Sequence, residues 1–578
     1  MTSKRTIYTL FLLIGISFYA LAQEDIKREV KLYNPYKPTL SKENKINFYP
    51  SMDDTVFVSP VLSYSVVPNV FMPEYSVRTI QAARLEPDPL GKLYKSFLNV
   101  GFGNYFTPYG ELSISSERSR NSIIGFYARH NSSFGKVKLE NEDNVNAGYM
   151  DNYASLYGTR LFRRVTLAAN VNFDHIRRYA YGYDFFNLPA LGTDKDSLRI
   201  DYLNPSAGLK LYSTRLDSAG MDFDFSLKYN FLLQAPGFYS HNPSASLDLA
   251  YRLKPFYASL GLAYDLFVLS DEIGDNNKHL FRLSPSVSKK SSSWAFNVGA
   301  DILTYSRDVF DDPLNPDFET KLYFYPDVRF SFSIIPSFAV FYVSLDGELE
   351  DNRAGDIVNI NPWFVTHSPS AGVSPNRELF RFKPTSNLLR VSGGLMGSAD
   401  EYTTYKVYAS YTLFEDMLFF TSDTLAGRSF YPAYDDGELL NLYAEFSSRI
   451  NDNISLDLSA NYYNYKLQLE DHPWYKPSWD ASLSVRYNLR NKILAEAGIK
   501  GLSKRYYYYG PSTYTGETLK TTGELPVHFS LNLGLEYRYT KILSFWTRLN
   551  NISTSRYFEY GFYPSQRFLF MAGFTYSL

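Results

Sequence analysis

Along most of this chain, apolar and polar residues alternate one for one. In 525–540, Phe529, Leu531, Leu533, Leu535, Tyr537 and Tyr539 fall on one face. Ser530, Asn532, Gly534, Glu536 and Arg538 fall on the other. A period of two marks a β-strand with one apolar side. The pattern recurs in 479–489, where Trp479, Ala481, Leu483, Val485, Tyr487 and Leu489 oppose Asp480, Ser482, Ser484, Arg486 and Asn488. It recurs in 221–231, where Met221, Phe223, Phe225, Leu227, Tyr229 and Phe231 oppose Asp222, Asp224, Ser226, Lys228 and Asn230. The chain also finishes inside such a run, with Phe568, Phe570, Ala572, Phe574, Tyr576 and Leu578 in step.

These runs reach about ten residues, whereas strands of soluble proteins average about five or six. Ten tilted residues cross a bilayer. Tyr506–Tyr509 and Tyr557–Tyr560 lie at strand ends, where aromatic girdles are expected. The connections alternate as well. A short set (119–121, 162–164, 216–220, 254–255, 335–337, 400–401, 451–453, 491–492, 540–541) interleaves with a longer one (183–198, 236–242, 309–319, 352–385, 418–436, 471–478, 511–524, 560–566). Short periplasmic turns and long outer loops are the asymmetry of an outer-membrane barrel. The spacing predicts an all-β, antiparallel transmembrane barrel of about 22 strands over 93–578. A soluble sandwich or propeller is the rival, but no blade-length repeat with fixed residues is present. In lipid every backbone amide must pair within the sheet, so the sheet has to close.

Two segments precede the barrel. Lys4 and Arg5, the apolar run 7–20 and Ala20-Leu21-Ala22 have the three parts of a cleaved secretory signal, 1–22. Residues 23–92 are irregular, rich in proline (Pro35, Pro38, Pro50, Pro60, Pro68, Pro73, Pro87, Pro89) and in aromatics. They read as a strap inside the lumen or as a periplasmic segment.

Composition narrows the function. Tyr, Phe and Trp make up 17% of the 578 residues, too aromatic for disorder. A net charge of −2 gives no footprint for nucleic acid. With no cysteine, disulfides, thiolate metal sites and cysteine catalysis are excluded. His130, His175, His241, His279, His367, His472 and His528 are scattered, without metal-ligand spacing. No Gly-x-Ser-x-Gly elbow is present. Gly101-Phe102-Gly103-Asn104 reads as strand rather than phosphate loop, and Gly393-Gly394 as a bend within a strand. No enzyme and no cofactor is expected.

The last 40 or so residues are more specific. Asn551-Ile552, Tyr557, Tyr563-Pro564 and Arg567 precede a closing strand of alternating aromatics. This resembles the end of TonB-dependent receptors, although Leu578 stands where that family usually has Phe. The resemblance implies a plugged 22-stranded barrel engaged in uptake. Residues 23–92 depart from it. They are too few for the family's plug and carry no recognisable TonB box, so the chain reads as plugless and TonB coupling is doubtful.

Asp222, Asp224, Lys228, Arg486, Glu536 and Arg538 are expected to face the lumen, as a selectivity lining or as compensating pairs. Trp363, Phe364, Phe380, Phe430 and Tyr431 lie in the expected outer loops. They read either as a binding surface for a glycan or partner or as a lid over the mouth. The expected location is the Gram-negative outer membrane, in contact with its lipid. The expected role is solute uptake, as receptor or channel. The alternative is a non-transporting subunit of an assembly with other outer-membrane proteins or surface lipoproteins.

Overall fold

The computed structural model describes residues 95–116, 119, 121–139, 142, 144–182, 198–214, 221–235, 238–270, 277–309, 317–364, 382–422, 430–509 and 521–577. The expectations for 1–22 and 23–92 lie outside these residues, as does Phe380.

Twenty-two long strands pair antiparallel with their neighbours in chain order. The last, Leu569–Ser577, returns to pair with the first, Ser96–Gly103. Phe97 lies opposite Ser577 and Gly103 opposite Met571, so the barrel has no free edge. Trp479–Leu489 has the bounds its alternation predicts, and Met221–Ala235 runs four residues further than its alternation was followed. No helix among the described residues is long and apolar enough to cross a membrane.

The two faces of each strand sort by polarity. In Val165–Tyr179, Val171 and Phe173 point away from the bore and are among the exposed apolar residues. In Asp317–Ile335, Leu322 and Phe324 do the same and are 71% and 66% exposed. So much exposed hydrocarbon would be an aggregation hazard in water and is the favourable face in lipid. At the inner rim Trp294 stacks on Phe296, with centroids 5.8 Å apart. The Lys289 ammonium lies 5.3 Å from both the Trp294 and Phe256 ring centres. A cation above interfacial rings is a girdle arrangement, stem in hydrocarbon and charge toward headgroups.

The inner turns are tight and locally determined. Arg490 and Asn491 take φ of 52° and 55°. Asn488 Oδ1 accepts the Asn491 N–H at 2.8 Å, and its side-chain amide donates to Asn491 Oδ1 at 2.7 Å. Asparagine tolerates this left-handed backbone and supplies the turn's hydrogen bonds itself.

Three expectations are corrected. First, 418–436 is not mainly loop: Thr403–Ser422 and Phe430–Arg449 are strands of 20 residues each. The alternation is broken at Glu415 and Asp416, which together stand opposite Asp436. Asp416 has a φ of 51° and donates its N–H to Asp436 Oδ1 at 2.8 Å. This β-bulge shifts the parity, so the upper strand reads as loop although pairing continues above it. Second, Tyr506–Tyr509 and Tyr557–Tyr560 are not girdle residues. Arg505–Tyr509 forms a hairpin with Thr521–Leu525, and Phe558–Tyr560 pairs with Tyr563–Pro564, both beyond the barrel wall on the outer side. Third, Gly393-Gly394 marks no bend, since the register runs straight through it. A Cβ at Gly394 would collide with the Val407 carbonyl oxygen, so close strand approach requires the glycine there.

Candidate functional site

The longer connections converge at the outer end of the barrel and build the main hydrophobic core among the described residues. Its members come from far-separated parts of the wall: Val145, Tyr181, Trp363, Phe430, Tyr475 and Tyr563. Loops rooted on opposite sides of a closed cylinder can touch only across its opening. The core is therefore a lid.

The lid is centred on aromatic rings. Trp363 lies 4.2 Å from Tyr563, centroid to centroid, and 5.8 Å from Tyr560. Tyr181 lies 4.9 Å from Tyr563. Phe430 and Tyr475 each lie 4.9 Å from Tyr560. Tyr563 and Phe430 are wholly buried. Such pairs stabilise by about 0.5–1.5 kcal/mol beyond their burial.

Polar tips pin the backbone. The short helix Ala354–Ile360 ends beneath the rings, and its last carbonyl groups need partners. Tyr560 Oη donates to the Ile360 carbonyl at 2.8 Å, and Tyr202 Oη to that of Pro362 at 3.0 Å. Tyr181 Oη donates to the Pro564 carbonyl at 2.9 Å. The Trp363 indole N–H donates to the Tyr179 carbonyl at 2.9 Å. Burial pushes the Tyr181, Tyr475 and Tyr560 hydroxyls well above the usual tyrosine range, so they remain donors. Phe364 forms a parallel bridge with Phe430, and the Phe430 N–H donates to the Trp363 carbonyl at 3.2 Å.

A chamber of about 450 Å³ lies against the lid, lined by Tyr149, Asp151, Arg178, Trp363, Glu559 and Gln566 among others. Arg178 bonds Asp151 at 2.6 Å. Burial raises the Glu559 carboxyl above its usual range, with Arg178 and Arg505 opposing the shift. The chamber thus offers rings, one fixed ion pair and one acid, a lining that orients a polar organic solute. Among the described residues no three of His, Asp and Glu converge as a bound metal would need.

The residues singled out from sequence fall in separate places. Trp363, Phe364 and Phe430 are buried in the lid, and Tyr431 packs against it from partial exposure. The six charges are elsewhere on the wall. Asp224 pairs with Lys210 at 2.7 Å, Arg486 with Asp457 at 2.5 Å and Glu536 with Arg538 at 3.4 Å. Arg486, Glu536 and Arg538 line a hollow of about 920 Å³ near the inner end. Asp222 and Asp224 line a different one of about 440 Å³. Lys228 stands between Gly208 and Ser244 in register. The chamber residues Asp151, Arg178 and Glu559 went unnoticed in the sequence. Glu559, an acid between aromatics in a run read as girdle, was the available signal.

No family model matches the chain, and no curated protein matches it in sequence. Solved structures do resemble it. A ferric-catecholate import receptor from E. coli K12 superposes with a TM-score of 0.58 at 9% identity, over 84% of this chain and 82% of that one. The FrpB iron transporter from Neisseria meningitidis gives 0.63 at 10%, over 85% and 82%. The pyoverdine outer-membrane receptor from Pseudomonas aeruginosa PAO1, bound to pyoverdine, gives 0.62 at 11%, over 84% and 79%. At these identities the likeness is one of fold: this chain is a 22-stranded barrel of the shape those outer-membrane receptors and transporters have.

Proposed function

We propose that the protein is an outer-membrane uptake receptor whose outer mouth is closed by an aromatic lid and opens to admit a solute. The supporting observation is the lid itself. A core drawn from loops rooted far apart around the wall closes the bore behind it, as a barrel that admits solute only on demand requires. Opening separates ring contacts rather than backbone pairing of the barrel, so the wall persists while the mouth changes. The fold likeness to import receptors points the same way. The chamber lining favours a polar organic solute that presents a face to Trp363 and hydrogen-bonding groups to Arg178 and Asp151.

The test is conductance and solute flux through the full chain in lipid bilayers, wild type against Trp363→Ala with Tyr563→Ala. A closed wild type and a leaky variant support a gate. If neither conducts, and the wild type co-purifies stably with another outer-membrane barrel or surface lipoprotein, the protein is a non-transporting subunit. Uptake in cells, with and without collapse of the inner-membrane proton gradient, shows whether entry is energised.

A further inference from the structure

We propose that the upper edge of the strand Asp317–Ile335 is a docking site for an extended segment of another polypeptide, which adds to the wall as a further strand. The proposal depends on the membrane barrel but not on the uptake reading.

The cylinder is closed where it crosses the bilayer, but above Asp327 one strand loses a neighbour. On one side, Asp317–Ile335 pairs with Trp294–Val309, from Phe332 opposite Trp294 up to Asp317 opposite Val309. On the other, its register with Ala339–Glu350 stops at Asp327 opposite Asp346. Past a bulge between Asp346 and Glu348, that neighbour pairs with Thr385–Ser398 alone, Leu349 opposite Ser386 and Glu350 opposite Thr385. Among the described residues nothing pairs with the free side of 319–326. The parting is held open by packing. Tyr325 fills the fork, buried in a small core with Leu303 and Leu349, and its Oη meets Ser386 Oγ at 2.7 Å. A Cβ at Gly347 would run into the Tyr325 ring, so the glycine admits it.

Backbone direction fixes what the edge offers. The Ser333 N–H donates to the Ser293 carbonyl at 2.7 Å, and the register rises from there without a shift. Odd-numbered residues therefore bond Trp294–Val309, while Thr320, Leu322 and Phe324 turn N–H and C=O to the open side. Pro326, which has no N–H, sits just above the point where the neighbour leaves.

Height shows what the edge needs. Phe324 and Leu322 stand 11 and 13 residues above Ile335. At a tilt of about 40° that is about 28–33 Å, the outer limit of an apolar band about 25 Å tall. The two side chains are 71% and 66% exposed in reverse order, Leu322 the higher, against 43% and 42% for Phe330 and Phe332. Those lower residues share the outward face but keep strands on both sides. Hydrocarbon offers the free backbone groups no partner, and water covers the apolar side chains poorly. Another strand serves both.

The edge also selects its occupant. A ladder is continued by backbone, so what fits is a polypeptide rather than a lipid or a glycan. Apolar residues two apart on that segment would pack beside Leu322 and Phe324. A second copy of this chain does not fit. Copies related by a two-fold axis along the membrane normal would cross these edges at about twice the strand tilt, ~80°, too steep for a ladder.

The test uses a fluorescent eight-residue peptide of alternating Val and Thr, titrated onto the full chain in lipid nanodiscs and read by anisotropy. Barrel integrity is checked by heat-modifiable migration. Wild type is expected to bind the peptide saturably, and to ignore the same peptide N-methylated along one edge. Leu322→Pro removes a donor on the open side alone and is expected to weaken binding on the order of fivefold to tenfold. Should that variant fail to assemble, Leu322→Lys with Phe324→Lys carries the same expectation, because edge lysines block strand addition. A quencher on Thr320→Cys, in a chain with no other cysteine, is expected to quench the bound peptide. Equal binding by a folded variant, or binding indifferent to N-methylation, overturns the site. Concentration-dependent dimerisation that the same variants abolish overturns the assignment to another polypeptide. Solute flux is expected to be unchanged in the variants, so this test and that of the gate fail independently.

Discussion

The Trp363 indole lies against the Tyr563 ring with centroids 4.2 Å apart, although the two residues come from loops on well-separated parts of the wall. Trp363 also donates to the Tyr179 carbonyl, so it ties three connections together. Trp363→Ala should remove this hub at a local cost of about 3–5 kcal/mol. We expect unchanged heat-modifiable migration, because no barrel register is touched, together with faster proteolysis of the outer loops. Loss of the folded barrel would show that the lid is part of the wall's own stability.

Asp351 begins the long connection that carries the helix, and burial pushes its carboxyl up to about 7. Lys278 and Arg353 pull against that shift, while Asp265 and Asp356 reinforce it. A raised acid favours the folded state while it is protonated. Its contribution is full below the ordinary carboxylate range and is lost as pH rises through about 7. Amide-exchange protection factors across 354–364, taken relative to the unstructured amide at each pH, should therefore be higher at pH 5 than at pH 8. Asp351→Asn, permanently neutral, should be equally protected at both. Pressed the other way, a wild-type profile that is flat between these values would remove Asp351 from the lid's control.

The wall was legible in the sequence because its physics is local. Period-two alternation across Trp479–Leu489 states both the strand and its lipid face. The lid was legible only as two alternatives, since alternation says nothing about which loops meet. Tyr557–Tyr560 has girdle composition, yet Tyr560 is buried against Phe430 and Tyr475 by contacts that no local pattern encodes. The histidines looked scattered for a similar reason. His130 and His175 are 45 positions apart in sequence, and only the pairing of three strands brings both onto Asn152. Sequence position sets the face a side chain takes, while register sets its neighbours.

The bulge at Glu415 and Asp416 separates the membrane-spanning part of its hairpin from the lid-bearing part. Deleting Asp416 should restore continuous alternation and exchange the faces that Phe419 and Phe420, now both in the lid core, present. The expected result is a folded barrel with a leaky mouth. Conductance measurements check it, and a deletion variant as tightly closed as wild type would mean that the bulge does not set the lid's geometry.

The seam where the first strand meets the last is sensitive to side-chain size. Trp546 inserts there, its indole N–H donating to Asn99 Oδ1 at 2.7 Å, and it is 5% exposed. Its ring covers Gly101 and Gly573, and a Cβ on either would run into the Trp546 ring. At Gly573 the added carbon would also meet the Val100 carbonyl oxygen, which cannot move without breaking the pairing of Val100 with Phe574. Closing a barrel satisfies the last row of backbone groups, and lipid offers them no substitute partner. Gly573→Val should therefore act on assembly rather than on the lid, giving little heat-modifiable product in the membrane fraction. Asn99→Leu is the milder probe. It keeps the glycines and leaves the Trp546 N–H unpaired, at about 1–3 kcal/mol. We expect that variant to assemble and to unfold at a lower temperature than wild type. If Gly573→Val assembled as well as Asn99→Leu, the tight seam would not be what closes the cylinder.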